Sequence, residues 1–505
     1  MDVLFEKTKQ LQCTAHRAAS GLLRDHALCR RLTRAAEDME TSNGTRYYEP
    51  FPYRVGIVAD EFIVENYRDT CDLLYLTPTV GEEILRGLSL LLVVSTWHGL
   101  ANEWTRCAVE GDPVNRRLHE IMQLCRGFGV PVAFYSKEDP ANYEHFKNLA
   151  ADADFIFTSA LESIPDYQVL YPGKPVELMP FAVNPLLNNP IGMNTGDGPP
   201  TAVFAGSWMP KYPKRLREQR DIFQWLLEEG VALRIIDRND RRNLRQFRYP
   251  LSLQKYVLPP VSYGRLAAWY KLHTWVVNLN SSYTSETMFA MRVYDAMACG
   301  APILSNESVG MERQFPEIFV PHSREDLRRA LECDPAELRQ RRLHALRRMM
   351  NGHTVYDRMA ALLTACGLPA AVPERRVAVL IDPAARDTAA LTAQFERQTR
   401  PNACLITGPA ELARAEGCDM LAIWTDGRIY EPDALTDLAD GFKYTAGRYI
   451  TRPSRAGTER EHCYTDRIAD KYDTLFWRAD FPPEELYRMA ERISAPGGYR
   501  ITTAD

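Results

Sequence analysis

No two cysteines in this sequence are spaced as a pair. Eleven are scattered singly from Cys13 to Cys463, with no CxxC. That dispersal excludes a disulfide framework and a zinc-finger pattern, and reads as reduced, mostly buried thiols. Long apolar runs are also missing. The longest, Leu88–Val94, is far short of the roughly 20 residues a helix needs to cross a bilayer. The first ten residues, MDVLFEKTKQ, carry an acidic second position and no apolar signal core. A cytoplasmic location is the expectation. A basic excess is lacking too: the formal net charge of -5 argues against a dedicated nucleic-acid binder, without excluding a local basic patch. Neither a solenoid-period repeat nor a low-complexity tract is present.

What is present is an alternating rhythm. At 505 residues the chain is too long for one core, and about 150 residues per domain suggests three or four. Residues 1–50 read as a helical extension, with Val3, Leu4, Leu11, Ala15, Ala18 and Leu22 on one face. From residue 51 to 190, short apolar runs alternate with helical patterns: RVGIVADE, LSLLLVVSTWHG, VPVAFYSKEDP, DFIFTS and PVELMPFAVNP. Near-continuous apolar strands separated by helices predict a parallel sheet covered on both faces, in a Rossmann-like domain. After a Gly-, Pro- and Asn-rich linker the rhythm restarts over 191–370 as a second such domain. A third, smaller α/β unit is expected over 371–505.

Ligands of open parallel sheets bind at the carboxyl ends of the strands. In the first domain those ends present Asp60 and Glu61, Trp97 and His98, and Lys137, Glu138 and Asp139. Each could simply cap a helix or pair at the surface, but the concentration at one edge exceeds what packing requires. In the second domain FAGSW places Gly206 and Ser207 at a strand end, with Lys211, Lys214 and Arg215 just beyond. Glycine permits close backbone approach and cations neutralise phosphate, so a diphosphate fits there. Further on, NLNSSYTSETMF offers Asn280, Thr287 and Met288, and Arg292 and Asp295 follow three apart on one helical face.

These segments resemble a known group. YDAMACGAPILSN is similar to the strand-helix motif of GT-B glycosyltransferases of group 1 and family 4. The longer run VVNLNSSYTSETMFAMRVYDAMACGAPILS resembles the spore-maturation-type, CgeB-like branch, as do STWHGLANEW, PVAFYSKEDPANYEHF, DFIFTS and VELMPFAVNPLLNNP. The resemblance covers roughly residues 50–365. It implies a GT-B architecture that binds a nucleoside-diphosphate sugar in its second domain. Asp295 then falls on the acidic residue that contacts the donor ribose. Gly206, Ser207, Lys214, Arg215 and Arg292 would meet the diphosphate, and Asn280, Thr287 and Met288 the phosphate or sugar. Two departures stand out: Thr287 occupies the place of the family's first Glu, and the second acid is Asp295 rather than Glu.

The third unit resembles a shortened GT-A glycosyltransferase domain, through LTAQFERQTRPNACLIT and WTDGRIYEPDALTDL. Asp426 keeps the first acid of the metal-binding Asp-x-Asp, but Arg428 replaces the second, and a cation there repels a divalent metal. A degenerate domain for interaction or acceptor binding is the reading. The whole chain is expected to move a sugar from a nucleoside-diphosphate sugar to a hydroxyl acceptor on a glycan, protein or surface polysaccharide, with no metal or other cofactor. If the reaction inverts the anomeric centre, Asp60, His98 and Glu138 are the candidate bases. The alternatives are a non-catalytic nucleotide- or sugar-binding scaffold and a transferase acting on modified nucleic acid.

Overall fold

The computed structural model describes residues 20–193, 198–240, 245–453 and 459–502. Its first sheet holds β1 (Phe51–Val58), β2 (Cys71–Tyr75), β3 (Leu90–Val94), β4 (Val132–Ser136), β5 (Phe155–Thr158) and β6 (Val176–Leu178) in the order β2-β1-β3-β4-β5-β6. All neighbours in it run parallel. Strands β3 and β4 are buried along their length, so they read as unbroken apolar runs, the pattern of a sheet covered on both faces. The sheet grows to one side with β2 and to the other with β3. The loops leaving β1 and β3 therefore diverge and open a crevice.

The second sheet repeats this logic. It contains β7 (Thr201–Ala205), β8 (Ala232–Ile236), β9 (Val257–Leu258), β10 (Trp275–Asn278) and β11 (Ile303–Ser305) in the order β11-β10-β7-β8-β9, again all parallel. Its growth reverses between β7 and β10. Both sheets are Rossmann-like, as the sequence rhythm predicts. Two strands escaped that rhythm: β2 is half-exposed and β9 is two residues long, so neither makes an apolar run.

The third sheet is mixed. It joins β12 (Val377–Ile381), β13 (Ala403–Ile406), β14 (Met420–Trp424), β15 (Tyr449–Thr451), β16 (Cys463–Ile468), β17 (Thr474–Trp477) and β18 (Ile493–Arg500) in the order β13-β12-β14-β17-β15-β18-β16. The pairs of β12 with β13 and β14 are parallel, and β17 runs antiparallel to both its neighbours.

The units interlock. Helix Val355–Ala365, started by a Thr354–Asp357 capping box, returns to the first unit. There the Val355 amide donates to the Val183 carbonyl at 2.8 Å, and Arg358 Nε donates to the Pro180 carbonyl at 3.1 Å. Arg347, near the end of helix Pro335–Met350, pairs with Asp433 and Asp437 of the third unit at 2.6 and 2.8 Å. One contiguous apolar core contains Val94, Val276 and Leu435, a residue from each unit. In the extension, helix His26–Glu37 follows an Asp25 cap, whereas residues 40–50 are not helical. Their hydrogen bonds go to the third unit instead, as Ser42 Oγ to the Tyr444 carbonyl shows at 2.8 Å. The expected apolar positions from Val3 to Ala18 lie outside the described residues.

Candidate functional site

At the end of β7 the chain turns at Gly206 and Ser207, where the reversal of sheet growth leaves its crevice. Ser207 Oγ accepts from Arg238 Nε at 2.9 Å and Asn239 Nδ2 at 2.8 Å. Arg292 reaches the same place from the far side of β10. Its guanidinium donates to the Ala205 carbonyl and to Asn278 Oδ1 and lies over the Phe204 ring, 4.9 Å from its centroid. A Cβ on Gly206 would stand 3.1 Å from that guanidinium. Arg215, only 4 % exposed, points in from helix Pro213–Glu228. Its best acceptors are the Leu279 and Ser207 carbonyls, both at a long 3.4 Å. Burial, with the neighbouring charges of Arg292 and Arg238, pushes its pKa down to about 10.

No carboxylate pairs with Arg215 or Arg292 among the described residues. Positive charge gathered on a buried Arg215 and a half-buried Arg292, with no carboxylate bonded to either, is costly to fold and suits an anion. Asn280 does not face that site. Its Oδ1 accepts from the Ala290 amide and from Asn278 Nδ2, both at 3.0 Å, so it braces the loop. Lys214 turns away, bonded to Glu307 with its ammonium over the Tyr283 ring. Met288 packs half-buried against the core.

Helix Arg292–Ala298 ends at Gly300, whose φ of 68° favours glycine. Arg292 and Asp295 share this helix but take different partners. Asp295 is 2 % exposed and accepts from Tyr263 OH at 3.0 Å and Asn188 Nδ2 at 3.1 Å. Burial pushes its pKa up to about 7, against the pull of Tyr263 and Arg292. Asn188 and Tyr263 were not singled out from the sequence. They lie 107 and 32 residues from Asp295, with no local pattern to announce them.

On the first sheet, Asp60 lies in the β1/β3 crevice and holds the loop after β3. Its carboxylate accepts from the backbone amides of Trp97, His98 and Gly99 at 3.1, 2.9 and 3.1 Å. Lys137 Nζ lies 3.3 Å away. Burial works against the charge, but Lys137 and the three amides outweigh it and hold the pKa below its ordinary value. A carboxylate so saturated and so acidic is a loop anchor, a poor proton acceptor. Glu138 binds Lys137 Nζ at 2.8 Å and Asn142 Nδ2 at 2.9 Å. His98 Nδ1 lies 3.3 Å from Thr105 Oγ1. Asp139 is fully buried behind this edge and accepts from Thr158 Oγ1 at 2.7 Å. Burial raises its pKa to about 6.

The two edges face each other. Thr287 Oγ1 accepts from the Leu161 amide and donates to the Ser159 carbonyl, both at 2.9 Å. It is a clasp between units. On the other flank Phe62 meets Tyr263 edge-on, with centroids 6.2 Å apart. In the third unit Asp426 accepts from the Arg386 amide at 2.8 Å. Arg428 pairs with Asp470, Asp473 and Glu491 at 2.5, 3.3 and 3.0 Å. A surface depression of about 500 Å³ lined by Arg126, Gly129 and Asp154 lies where the chain enters β4, at the opposite end of the strands. Its one arginine is already paired with Asp154 at 2.8 Å, so it does not compete as the site.

Residues 217–364 match a family model described as glycosyl transferase-like. No relative among curated proteins matches the chain. Similar solved structures include the N-terminal domain of Candida albicans trehalose-6-phosphate phosphatase, 8% identical at a TM-score of 0.41 over 65% of this chain and 99% of that one. An alpha-glucosyltransferase solved with UDP and a 13-mer DNA containing a HMU base is 9% identical at 0.43, over 63% and 99%. The pneumococcal O-GlcNAc transferase with UDP and GlcNAc is 12% identical at 0.34, over 57% and 59%. Likeness at this level decides nothing about fold or function. No helix among the described residues is long and apolar enough to cross a membrane.

Proposed function

We propose that the chain is a GT-B glycosyltransferase of the CgeB-like kind that uses a nucleoside-diphosphate sugar. The observation that carries this reading is the pair of guanidiniums, the buried Arg215 and the half-buried Arg292, converging at the β7/β10 crevice with no carboxylate bonded to either. In the transfer, the acceptor hydroxyl oxygen bonds the anomeric carbon as the bond from that carbon to the diphosphate oxygen breaks. The diphosphate leaves with the electron pair, and the hydroxyl proton passes to a base or to the departing phosphate. Two fixed cations at the leaving group stabilise that charge where it develops, so the reaction is read as metal-independent. Asp295 and Tyr263 would meet the ribose, the carboxyl exchanging its bond from Asn188 for one from a sugar hydroxyl.

With Asp60 committed to three amides, His98 and Glu138 remain as bases for an inverting reaction, while a retaining one would need neither. The same commitment gives some support to a scaffold that binds nucleotide without turnover. The third unit, its acidic cluster closed by Arg428, is read as a non-catalytic GT-A-like domain for partner or acceptor contact. Cytoplasmic action on a glycan or protein acceptor is part of the proposal. The test is nucleotide release from UDP-, GDP-, TDP- and ADP-sugars by wild type and by Arg292→Ala and Arg215→Ala. A drop of about 100-fold or more in both variants is expected. Equal rates would overturn the assignment, and binding without release for every donor would favour the scaffold.

A further inference from the structure

The loop that Asp60 anchors carries a tryptophan that does no core work. Trp104, seven positions further on, shows what a structural tryptophan looks like here: it is wholly buried and its indole N–H donates to the Leu76 carbonyl at 2.8 Å. Trp97 is 37 % exposed, and its indole N–H has no partner among the described residues. The ring is nonetheless held. The His145 ring stacks on it at 4.8 Å and 15°, and Phe146 meets it edge-on at 4.8 Å. Its backbone amide is fixed by Asp60. The turn beyond passes through Gly99 at φ 77°, where a Cβ would fall 2.6 Å from the Tyr75 hydroxyl.

A preorganised, half-exposed aromatic ring at a strand end is a recognition element, since the cost of ordering it is met before any ligand arrives. Two further apolar side chains on this edge, Leu100 and Leu161, are each 47 % exposed. Leu161 belongs to the loop that Thr287 clasps, so this edge faces the second unit. Charge decides what such a ring would take. Aromatic platforms for single-stranded nucleic acid sit in grooves of unpaired cations. Here Lys137 lies between Asp60 and Glu138 at 3.3 and 2.8 Å, Lys147 pairs with Glu144 at 2.6 Å, and Arg106 pairs with Asp112 at 2.6 Å. A polyanion would find its countercharge already used. An uncharged pyranose ring would lay its C–H face on the electron-rich indole and offer its hydroxyls to the Trp97 N–H, Glu138 and His98.

We propose that Trp97 is the stacking platform for the acceptor and that the acceptor is a neutral pyranoside. This deepens the glycosyltransferase reading and rests on it for the word acceptor. The test uses the full chain and saturation-transfer NMR with methyl glucopyranoside, methyl galactopyranoside, methyl rhamnopyranoside and N-acetylglucosamine. Wild type, Trp97→Phe and Trp97→Ala are compared, with circular dichroism confirming the fold of each. At least one saccharide is expected to receive saturation on its ring C–H protons from the wild type and from Trp97→Phe. Binding should weaken about tenfold in Trp97→Ala, while the thermal shift given by UDP stays the same. The proposal is overturned if no saccharide binds the wild type, if Trp97→Ala binds as well as wild type, or if a ten-residue thymidine oligonucleotide binds the edge with salt-sensitive affinity instead. Failure of UDP and the other nucleotides to shift the wild type would remove the donor reading alone. Saccharide binding that weakens in Trp97→Ala would still support the platform.

Discussion

Thr287 donates its hydroxyl proton to the Ser159 carbonyl at 2.9 Å, and this bond crosses from the second unit to the first. The same oxygen accepts from the Leu161 amide, so one side chain ties the β5 loop to the opposite edge of the cleft. Where the family resemblance places a donor-contacting Glu, this chain has a fastener. Thr287→Val keeps the shape and removes both bonds. The loop is partly exposed and water can replace the missing partners, so the expected cost is about 1 kcal/mol. Hydrogen exchange at the Leu161 amide should rise. Unchanged protection would count against the clasp.

Asp60→Asn should damage the fold more than a surface change would. Asn keeps one oxygen for the three backbone amides, but its NH2 would face the ammonium of Lys137, which is 1 % exposed and would lose the negative charge beside it. A loss of about 2–4 kcal/mol is expected in denaturant unfolding. The sign of the pH effect follows from the lowered pKa. Below the ordinary 3.8 the unfolded chain binds the proton first, so the stabilisation is present above that value and is lost as pH falls through the folded one. The variant should therefore show a flatter acid limb than wild type.

Asp295 works in the opposite direction. Its folded pKa of about 7 lies above the ordinary 3.8, so the native state holds the proton more tightly than the unfolded chain. Wild type should gain stability as pH falls from about 7 toward 4, with the full cost of the buried charge present above 7. Asp295→Asn removes that cost and should be the more stable protein at pH 8, by about 4 kcal/mol at most, with the difference vanishing near pH 4. The comparison must be made between the two proteins. Asp139 and Asp237, both near 6, add slopes of the same sign, and His273 and His353, both near 4, add opposite ones.

Arg347→Ala tests how firmly the third unit is seated. Arg347 and Asp437 are largely buried, and Asp437 also accepts from Arg452 Nη2 at 3.2 Å. Removing the guanidinium leaves Asp437 with Arg452 as its remaining cation and Asp433 with the Thr399 hydroxyl, so a loss of about 2 kcal/mol is expected. Faster hydrogen exchange along Ala434–Tyr444 would accompany it. A variant with wild-type melting and exchange would show the pairing to be idle.

The sequence disclosed the elements that are regular and buried. Strands β3, β4 and β14 announce themselves because both faces are covered and every residue is apolar or nearly so. Arg215 drew notice because it follows a strand end, and Arg292 because the family resemblance runs through its helix; that the two converge at one crevice was not legible. The failures were non-local. Asp60 looked like a free carboxylate because its amide partners lie 37 to 39 residues away. Lys214 looked available until Glu307 came beside it from 93 residues on. Asn280 turned inward to brace its own loop, which no composition rule foretells. Strand β9, two residues long, lies below any periodicity.

The bonds of the stretch from Ser42 to Tyr47 bear on the order in which the molecule can be finished. Ser42 and Thr45 find their backbone acceptors at Tyr444 and Phe442, roughly 400 residues later. A ribosome that has released both Rossmann-like units has still not made the surface on which this early stretch settles. Those residues must wait while both units are made. The third unit then reaches back past them to fasten the stretch that leads into the first.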